Sequence, residues 1–338
     1  MARTRERGWP PAPDPLPVPV VDNHTHLESV VEWVADGWPG GAGAGTGLEA
    51  GPATGSKTGS KTGSETGAAG GENRRPGVDE HLARAEGVGV TRMVQVGCDL
   101  DAARWTDRAV GEHPQLLGAV AIHPNEAVLH AGVHEIAPDG LDPDPQPRHA
   151  VSLDDAIDTV MLIARANPRI RAIGETGLDH FRAGPQGRAV QRDSFRAHVA
   201  LAKELGLALQ IHDRDAHAEV VQVLLADGAP ERTVFHCFSG DVALARVARE
   251  NGWYCSFAGP VSFPANEDLR AALRELPPEL VMVETDAPYL TVHPHRGRPN
   301  APYLLPGTVR TIADVTGRPL ADVCADLSHT AEVVYGAW

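Results

Sequence analysis

The stretch Val18–His26 (VPVVDNHTH) joins a short apolar run to a pair of histidines at its end. In an extended backbone, side chains at i and i+2 point to the same side, so His24 and His26 can chelate one metal ion. Because the chain contains 16 histidines, one such pair is weak evidence for a metal site by itself. The evidence becomes stronger because an apolar run followed by a potential metal-binding side chain recurs further along the chain.

Short runs with strand character recur through the sequence, and most are continuously apolar rather than alternating. Such runs are typical of strands buried on both faces, as in a parallel sheet covered by helices. The predicted strands are Val18–Asn23, Arg92–Gly97, Leu117–Ile122, Ile170–Gly174, Ala208–Ile211, Thr233–Phe235, Trp253–Phe257 and Leu280–Glu284.

Helical patterns lie between these runs. The clearest is Gln191–Leu205, where apolar residues recur at spacings of three and four before Gly206 supplies a C-terminal stop. Similar patterns occupy Val78–Gly87, Ala216–Ala226, Val242–Asn251 and Asn266–Leu276. The alternation predicts a single (β/α)₈ TIM-type barrel over residues 1–338. A six-stranded doubly wound sheet with extra strands is the structural alternative.

Two segments interrupt this pattern. Residues 37–77 are nearly all Gly, Ala, Thr, Ser and Lys, with a tandem Thr-Gly-Ser-Lys repeat, and residues 138–147 are rich in proline. The first segment buries too little apolar surface to offset its ordering entropy, so we expect a disordered insertion in a surface loop. The second has the same character, less strongly. Loop-closure entropy rises slowly with length, so a barrel can carry both.

The charge balance bears on the class of partner. The 30 basic and 45 acidic residues give a formal net charge of -15, which argues against nucleic-acid binding through a broad basic surface. Phosphate chemistry would therefore depend on metal ions and a few local cations. No obligate protein partner is evident.

Cysteine usage and the apolar segments bear on location. The four cysteines show no CxxC spacing, which indicates neither a disulfide framework nor a thiolate zinc site and favours a reducing cytoplasm. Met1–Pro19 lacks the apolar core of a signal peptide, and no run reaches the roughly 18 apolar residues that a membrane-spanning helix needs. We expect a soluble protein without a membrane partner.

The candidate metal ligands follow the predicted strands at the ends that meet on the C-terminal face of a barrel. They are His24, His26, Glu175, His212, His236 and Asp286. Singly, each has a structural interpretation, such as a hydrogen-bonded histidine or an aspartate that caps a turn. Together they predict a binuclear site for two divalent ions, because imidazole and carboxylate suit Mg²⁺, Mn²⁺ or Zn²⁺. Two ions about 3.5 to 4 Å apart would clamp a phosphoryl group.

The chain resembles the TatD-type metal-dependent deoxyribonucleases of the amidohydrolase superfamily over nearly everything outside the insertions. The segments that carry the resemblance are DNHTHL (22–27), AIHP (121–124), GETGLD (174–179), QIHDRDA (210–216), HCFSG (236–240) and ETDAPYL (284–290). The chain departs from the family pattern at Asn125, where a second histidine is common, and at His180 and Phe181, where an aromatic pair is usual.

The resemblance implies hydrolysis of a DNA phosphodiester by a metal-activated water, on single-stranded DNA or strand ends. By match, one ion would lie among His24, His26, Glu175 and Asp286, and the other among Glu175, His212 and His236. Glu175 would bridge the ions and Asp286 would act as the general base.

Three further residues are candidates for contact with the substrate. His123, at the end of the third predicted strand, would hydrogen-bond a phosphate or the leaving group, or else is a structural histidine before Pro124. Arg214 and Arg296 are candidates for contacts with backbone phosphates, although surface arginines are usually only solvated.

Two other functions use the same residues. An amidohydrolase-type enzyme would cleave a C–N or ester bond in a small molecule or aminoacyl-tRNA with the same metals. A nuclease requires an open groove with basic side chains and a stacking platform, whereas a small-molecule enzyme requires closure. The third hypothesis, an inactive binding scaffold, is disfavoured by the presence of all six ligands.

Overall fold

The computed structural model describes residues 8–33 and 76–338, so nearly all of the predicted 37–77 insertion lies outside the described residues. Within those ranges, eight parallel strands form one sheet whose order follows the sequence. The strands are β1 Val20–Thr25, β2 Val90–Gly97, β3 Leu116–Val120, β4 Ile170–Asp179, β5 Ala208–Arg214, β6 Thr233–Phe235, β7 Tyr254–Phe257 and β8 Val281–Val283. The predicted barrel is confirmed, since a doubly wound sheet would not keep sequential strand order.

Helices alternate with the strands and cover the outside of the barrel. In the described residues they are α1 Leu27–Glu32, α2 Val78–Glu86, α3 Leu100–Glu112, α4 Pro124–His130, α5 Leu153–Ala166, α6 Pro185–Leu205, α7 His217–Asp227, α8 Val242–Asn251, α9 Glu267–Glu275, α10 Leu305–Thr316 and α11 Leu320–Tyr335. All five predicted helices are present. None of the helices in the described residues is long and apolar enough to cross a membrane.

Helix α6 shows how local sequence sets these elements. It begins at Pro185 rather than at the predicted Gln191, because proline suits the first helical position, where the missing N–H leaves no bond unmade. It ends where predicted, at Gly206, whose left-handed backbone (φ 63°) terminates the helix without the steric cost of a side chain.

The barrel closes between its first and last strands through loop contacts rather than a full ladder. The residues after β8 bond to β1: the Asp286 N–H donates to the His24 carbonyl (3.0 Å) and the His26 N–H to the Ala287 carbonyl (2.8 Å). Below them, the buried Asp22 carboxylate accepts from the Thr285 N–H and hydroxyl. This closure places Asp286 beside the two histidines of β1.

The N-terminal end of the barrel is covered by α11. Three contacts tie the end of this helix to residues at the strand starts: Glu332 to Arg92, the Val334 carbonyl to Arg232, and the Trp338 indole to the Gln115 carbonyl. The Tyr335 ring is fully buried, and its hydroxyl bonds Asn23 and Gln210 in the barrel interior. The barrel is therefore filled and covered at the end opposite the candidate site.

The predicted proline-rich insertion follows α4. Residues 138–146 form neither helix nor strand, and the segment enters a short 3₁₀ helix at Pro147–Ala150. The Asp139 N–H donates to the Phe181 carbonyl at 3.2 Å, so this loop lies over the C-terminal end of β4.

Candidate metal centre

Glu175 lies within β4 rather than at its end. The predicted strand end at Gly174 is wrong: the pairing register with β5 shifts between Ile173 and Thr176, and the strand then continues to Asp179. Such an irregularity re-aims a side chain without ending the sheet. The flanking glycines allow it, because a Cβ would lie 2.5 Å from the Gln210 Cβ at Gly174 and 2.0 Å from the His212 oxygen at Gly177.

One oxygen of Glu175 faces the strands β5 and β6. Its Oε1 lies 2.6 Å from His212 Nδ1 and 2.7 Å from His236 Nε2. His123, which precedes α4, brings its Nε2 to 3.6 Å from the same oxygen. We refer to His212 and His236 as the β5/β6 half of the site.

The other oxygen faces the seam where the barrel closes. Glu175 Oε2 lies 3.6 Å from His24 Nε2 and 3.9 Å from His26 Nε2. Asp286 completes this set, with its Oδ1 3.7 Å from His24 Nε2 and 3.4 Å from His26 Nε2. We refer to His24, His26 and Asp286 as the β1/β8 half of the site.

The donor set suits divalent cations. In the β1/β8 half, the Nε2 atoms of His24 and His26 face each other at 3.2 Å, and both rings are buried. The ligand atoms of His24, His26 and Asp286 lie within 4.8 Å of one another, as do those of His123, Glu175 and His212. Nitrogen and carboxylate donors that converge in this way are the ligands that Zn²⁺ and related ions prefer.

The electrostatics of the β5/β6 half favour positive charge. Burial would raise the pKa of Glu175, but His236, His123 and His212 outweigh it and hold that pKa well below its usual range. Burial opposes protonation of His212, yet Asp179 and Glu175 raise its pKa to about 9. When these nitrogens ligate a metal, the cation takes the place of that proton.

Two buried carboxylates behind the histidines were not assigned a role from the sequence. The Nε2 of His212 lies 3.3 Å from Asp179 Oδ2, and the Nδ1 of His236 lies 3.2 Å from Glu284 Oε1. The sequence offered one signal for each, namely its closeness to a predicted ligand: Asp179 ends the segment that contains Glu175, and Glu284 precedes Asp286 by two residues.

The histidines of the β1/β8 half have different support. His26 Nδ1 bonds the Val96 carbonyl at 3.0 Å, and His24 Nδ1 has no hydrogen-bond partner among the described residues. Cys98, also not predicted, donates its thiol to Glu175 Oε2 at 3.2 Å. The metal-binding role of every residue in both halves remains a prediction.

The predicted substrate arginines each lie over an aromatic ring. The Arg214 guanidinium lies 4.0 Å from the centre of the Phe181 ring, and that of Arg296 lies 5.5 Å from the centre of the Phe263 ring. Arg214 follows His212 by two residues on β5, so its side chain leaves the same face of the strand. Arg296 is exposed and lies beyond β8.

The motifs and this geometry agree with a comparison against known families. A model described as TatD related DNase matches residues 21–336. The chain belongs to this TatD family. An uncharacterized metal-dependent hydrolase TatD from Mycobacterium tuberculosis is 40% identical over 259 residues, which cover 75% of this chain and 89% of the relative. A Bacillus subtilis relative with a similar description is 29% identical, over 76% of this chain and 92% of its own length.

Solved structures share the TatD fold. A TatD homologue from Escherichia coli superposes with a TM-score of 0.66 at 20% identity, over 77% of this chain and 92% of the homologue. A TatD family hydrolase from Entamoeba histolytica superposes with a TM-score of 0.68 at 15% identity, over 95% and 99% of the two chains. The chain is therefore a metal-dependent hydrolase of the TatD family, and its barrel is the fold of these solved structures.

Proposed function

We propose that the chain is a deoxyribonuclease that hydrolyses phosphodiester bonds with two divalent ions, Mg²⁺, Mn²⁺ or Zn²⁺. The observation that carries the proposal is the orientation of Glu175, whose two oxygens face two separate sets of nitrogen donors. In this assignment, the residues of the β1/β8 half would hold one ion, those of the β5/β6 half would hold the other, and Glu175 would serve both. Bound there, the ions would neutralise the phosphate and lower the pKa of water to near neutrality.

The protein groups have distinct parts in this reaction. Asp286 lies at the edge of the cluster with one oxygen directed at His26, and its carboxylate accepts the proton of the attacking water. His123 lies next to Glu175 on the side away from Asp286, where its ring hydrogen-bonds a phosphate oxygen or the leaving group. In this proposal, proton acceptance and phosphate contact lie on opposite sides of Glu175.

Two arginine–aromatic pairs favour a nucleic-acid substrate. Arg214 with Phe181 and Arg296 with Phe263 each offer a cation for a phosphate and a ring for a base. Stacking on an aromatic ring requires an unpaired base, so we expect single-stranded DNA or strand ends as the substrate. The overall charge of -15 does not oppose this, because local cations and bound metals determine the potential in a cleft.

We also infer that the enzyme acts in the cytoplasm and needs no obligate protein partner. All four cysteines are free thiols, which a reducing compartment preserves.

The test is cleavage of end-labelled single-stranded and duplex DNA by EDTA-stripped protein, with and without each of the three metals. We expect metal-restored cleavage that is faster on single strands. The Asp286→Ala variant should lose it, whereas Asp193→Asn, which changes an exposed carboxylate on α6, should retain it.

The same assay distinguishes the competing function. No cleavage with any metal, together with turnover of a small ester or an aminoacyl-tRNA, would favour the amidohydrolase-type reaction. A protein that retains no metal and turns over neither class of substrate would be an inactive scaffold.

A further inference from the structure

We propose that Asp179 and Glu284 are positioning residues that set the cation affinity of the β5/β6 half, independently of the β1/β8 half. The inference rests on the proposed two-cation site. It concerns two carboxylates that bond the ring nitrogens of His212 and His236 facing away from Glu175.

The two rings of the β5/β6 half are held in the same way. His212 directs Nδ1 to Glu175 and Nε2 to Asp179, whereas His236 directs Nε2 to Glu175 and Nδ1 to Glu284. In each ring, both nitrogens therefore lie within 3.3 Å of a carboxylate oxygen. With a cation bound on the Glu175 side, the opposite nitrogen would carry the proton and donate it to Asp179 or Glu284, which would fix the tautomer and make the imidazole a stronger ligand.

Asp179 is itself fixed by the surrounding structure. Its Oδ1 accepts from the N–H groups of Phe181 (3.1 Å) and Arg182 (3.0 Å), and its Oδ2 accepts from the Asn125 amide (3.1 Å). The Asn125 oxygen in turn accepts from Gln191 on α6. Asn125, which departs from the family pattern, therefore serves to hold Asp179 in place.

Glu284 is anchored more simply. Its Oε1 accepts from the Cys237 N–H at 2.7 Å as well as from His236. The side chain is fully buried, and its Oε2 has no hydrogen-bond partner among the described residues. The groups that bond Glu284 are thus the His236 ring and one backbone N–H.

The β1/β8 half is supported differently. His26 Nδ1 bonds the Val96 carbonyl, with the Glu28 carboxylate oxygen beyond hydrogen-bond distance at 3.8 Å, and His24 Nδ1 has no hydrogen-bond partner among the described residues. The difference predicts that removing the charge of Asp179 or Glu284 weakens one cation and leaves the other. Loss of such a partner typically lowers metal affinity about 10- to 100-fold.

The experiment is a calorimetric titration of EDTA-stripped protein with Mn²⁺ and with Zn²⁺, together with electron paramagnetic resonance of the Mn²⁺ form. We expect two binding events in the wild type and a spin-coupled Mn²⁺ pair. Asp179→Asn and Glu284→Gln should each keep one event unchanged and weaken the other about 10- to 100-fold. Their spectra should change to that of isolated Mn²⁺ at one equivalent.

The control and a second variant keep the test decisive. Asp193→Asn removes an exposed carboxylate on α6 outside the site, and it should leave both binding events unchanged. Asn125→Ala keeps the Asp179 charge but removes one of its anchors, and it should shift the same event by a smaller factor. If either carboxylate variant fails to fold, Asn125→Ala still tests the inference.

The outcomes separate the inference from the proposed function. Two events in the wild type that Asp179→Asn and Glu284→Gln leave unchanged, or weaken equally, would overturn the inference and preserve the two-cation site. A wild type that binds no cation would remove the proposed function, and the inference with it.

Discussion

Glu175 is the residue on which both halves of the site depend, because each of its oxygens faces a different set of histidines. Glu175→Gln keeps the shape of the side chain but replaces one anionic oxygen with a hydrogen-bond donor. We expect both cations to bind at least about tenfold more weakly, as measured by metal content after dialysis. If one cation were retained at full affinity, Glu175 would not be a bridge.

A second residue-scale prediction concerns Gly177. Its φ is 146°, and a Cβ there would lie 2.0 Å from the His212 carbonyl oxygen. Gly177→Ala should destabilise the protein by at least about 2 kcal/mol, since strain and a backbone clash add. Chemical denaturation would show this. The matched control is Gly132→Ala, where φ is 69° and no atom lies within 4 Å, which should cost about 1 kcal/mol.

The sequence supports different conclusions for different residues of the site. Residues such as His212 and Asp286 could be predicted because each closes an apolar run, and the ends of parallel strands must meet at one face. Asp179 and Glu284 were not predicted as contacts of the histidines. Their partners are distant in sequence, and only the pairing of β4 with β5 and the closure after β8 bring them together.

At the scale of elements, apolar runs located all eight strands but not every boundary. The register of β1 shifts between Asp22 and Thr25, and that of β4 between Ile173 and Thr176. A one-residue irregularity changes which side chains face the interior while leaving the apolar composition unchanged. Both shifts lie next to candidate ligands. The hydropathy pattern therefore predicts strand boundaries and side-chain orientation least well at the candidate site.

The contact between α4 and the 3₁₀ helix at Pro147–Ala150 predicts a pH effect. Burial would raise the pKa of Glu126, but bonds from His149 and Arg148 hold it at about 2, below its ordinary 4.5. A lowered pKa means that this contribution to stability is complete above about pH 4.5 and is lost as the pH falls toward 2.

Glu126→Gln should therefore lower the free energy of unfolding by about 1 to 3 kcal/mol near neutral pH. The difference from wild type should shrink as the pH falls below about 4.5. Urea denaturation of both proteins at about pH 7 and about pH 3 would measure it. An equal difference at both pH values would show that the contact is not electrostatic.

At the scale of the whole molecule, the site closes the barrel as well as forming the candidate active centre. Asp286 and Glu175 come from segments on opposite sides of the barrel, and cations bound between them would link these segments. Divalent ions that bind only the folded state should therefore stabilise the entire chain.

We expect EDTA-stripped protein to melt a few degrees lower than protein with Mn²⁺ or Zn²⁺ in 100-fold excess over the Kd, an effect of about 2.7 kcal/mol per ion. Differential scanning calorimetry measures the change. A melting temperature unaffected by EDTA and by added metal would mean that the cluster holds no ion in the folded protein.

In the described residues, α11 covers the N-terminal end of the barrel, opposite the candidate site. Under the proposed function, DNA would enter at the other end, past the Arg214–Phe181 and Arg296–Phe263 pairs, and each fragment would leave by the same route. A released strand would then occupy the positions that the next strand needs. The enzyme should accordingly show competitive product inhibition, in which short oligonucleotide products raise KM and leave kcat unchanged.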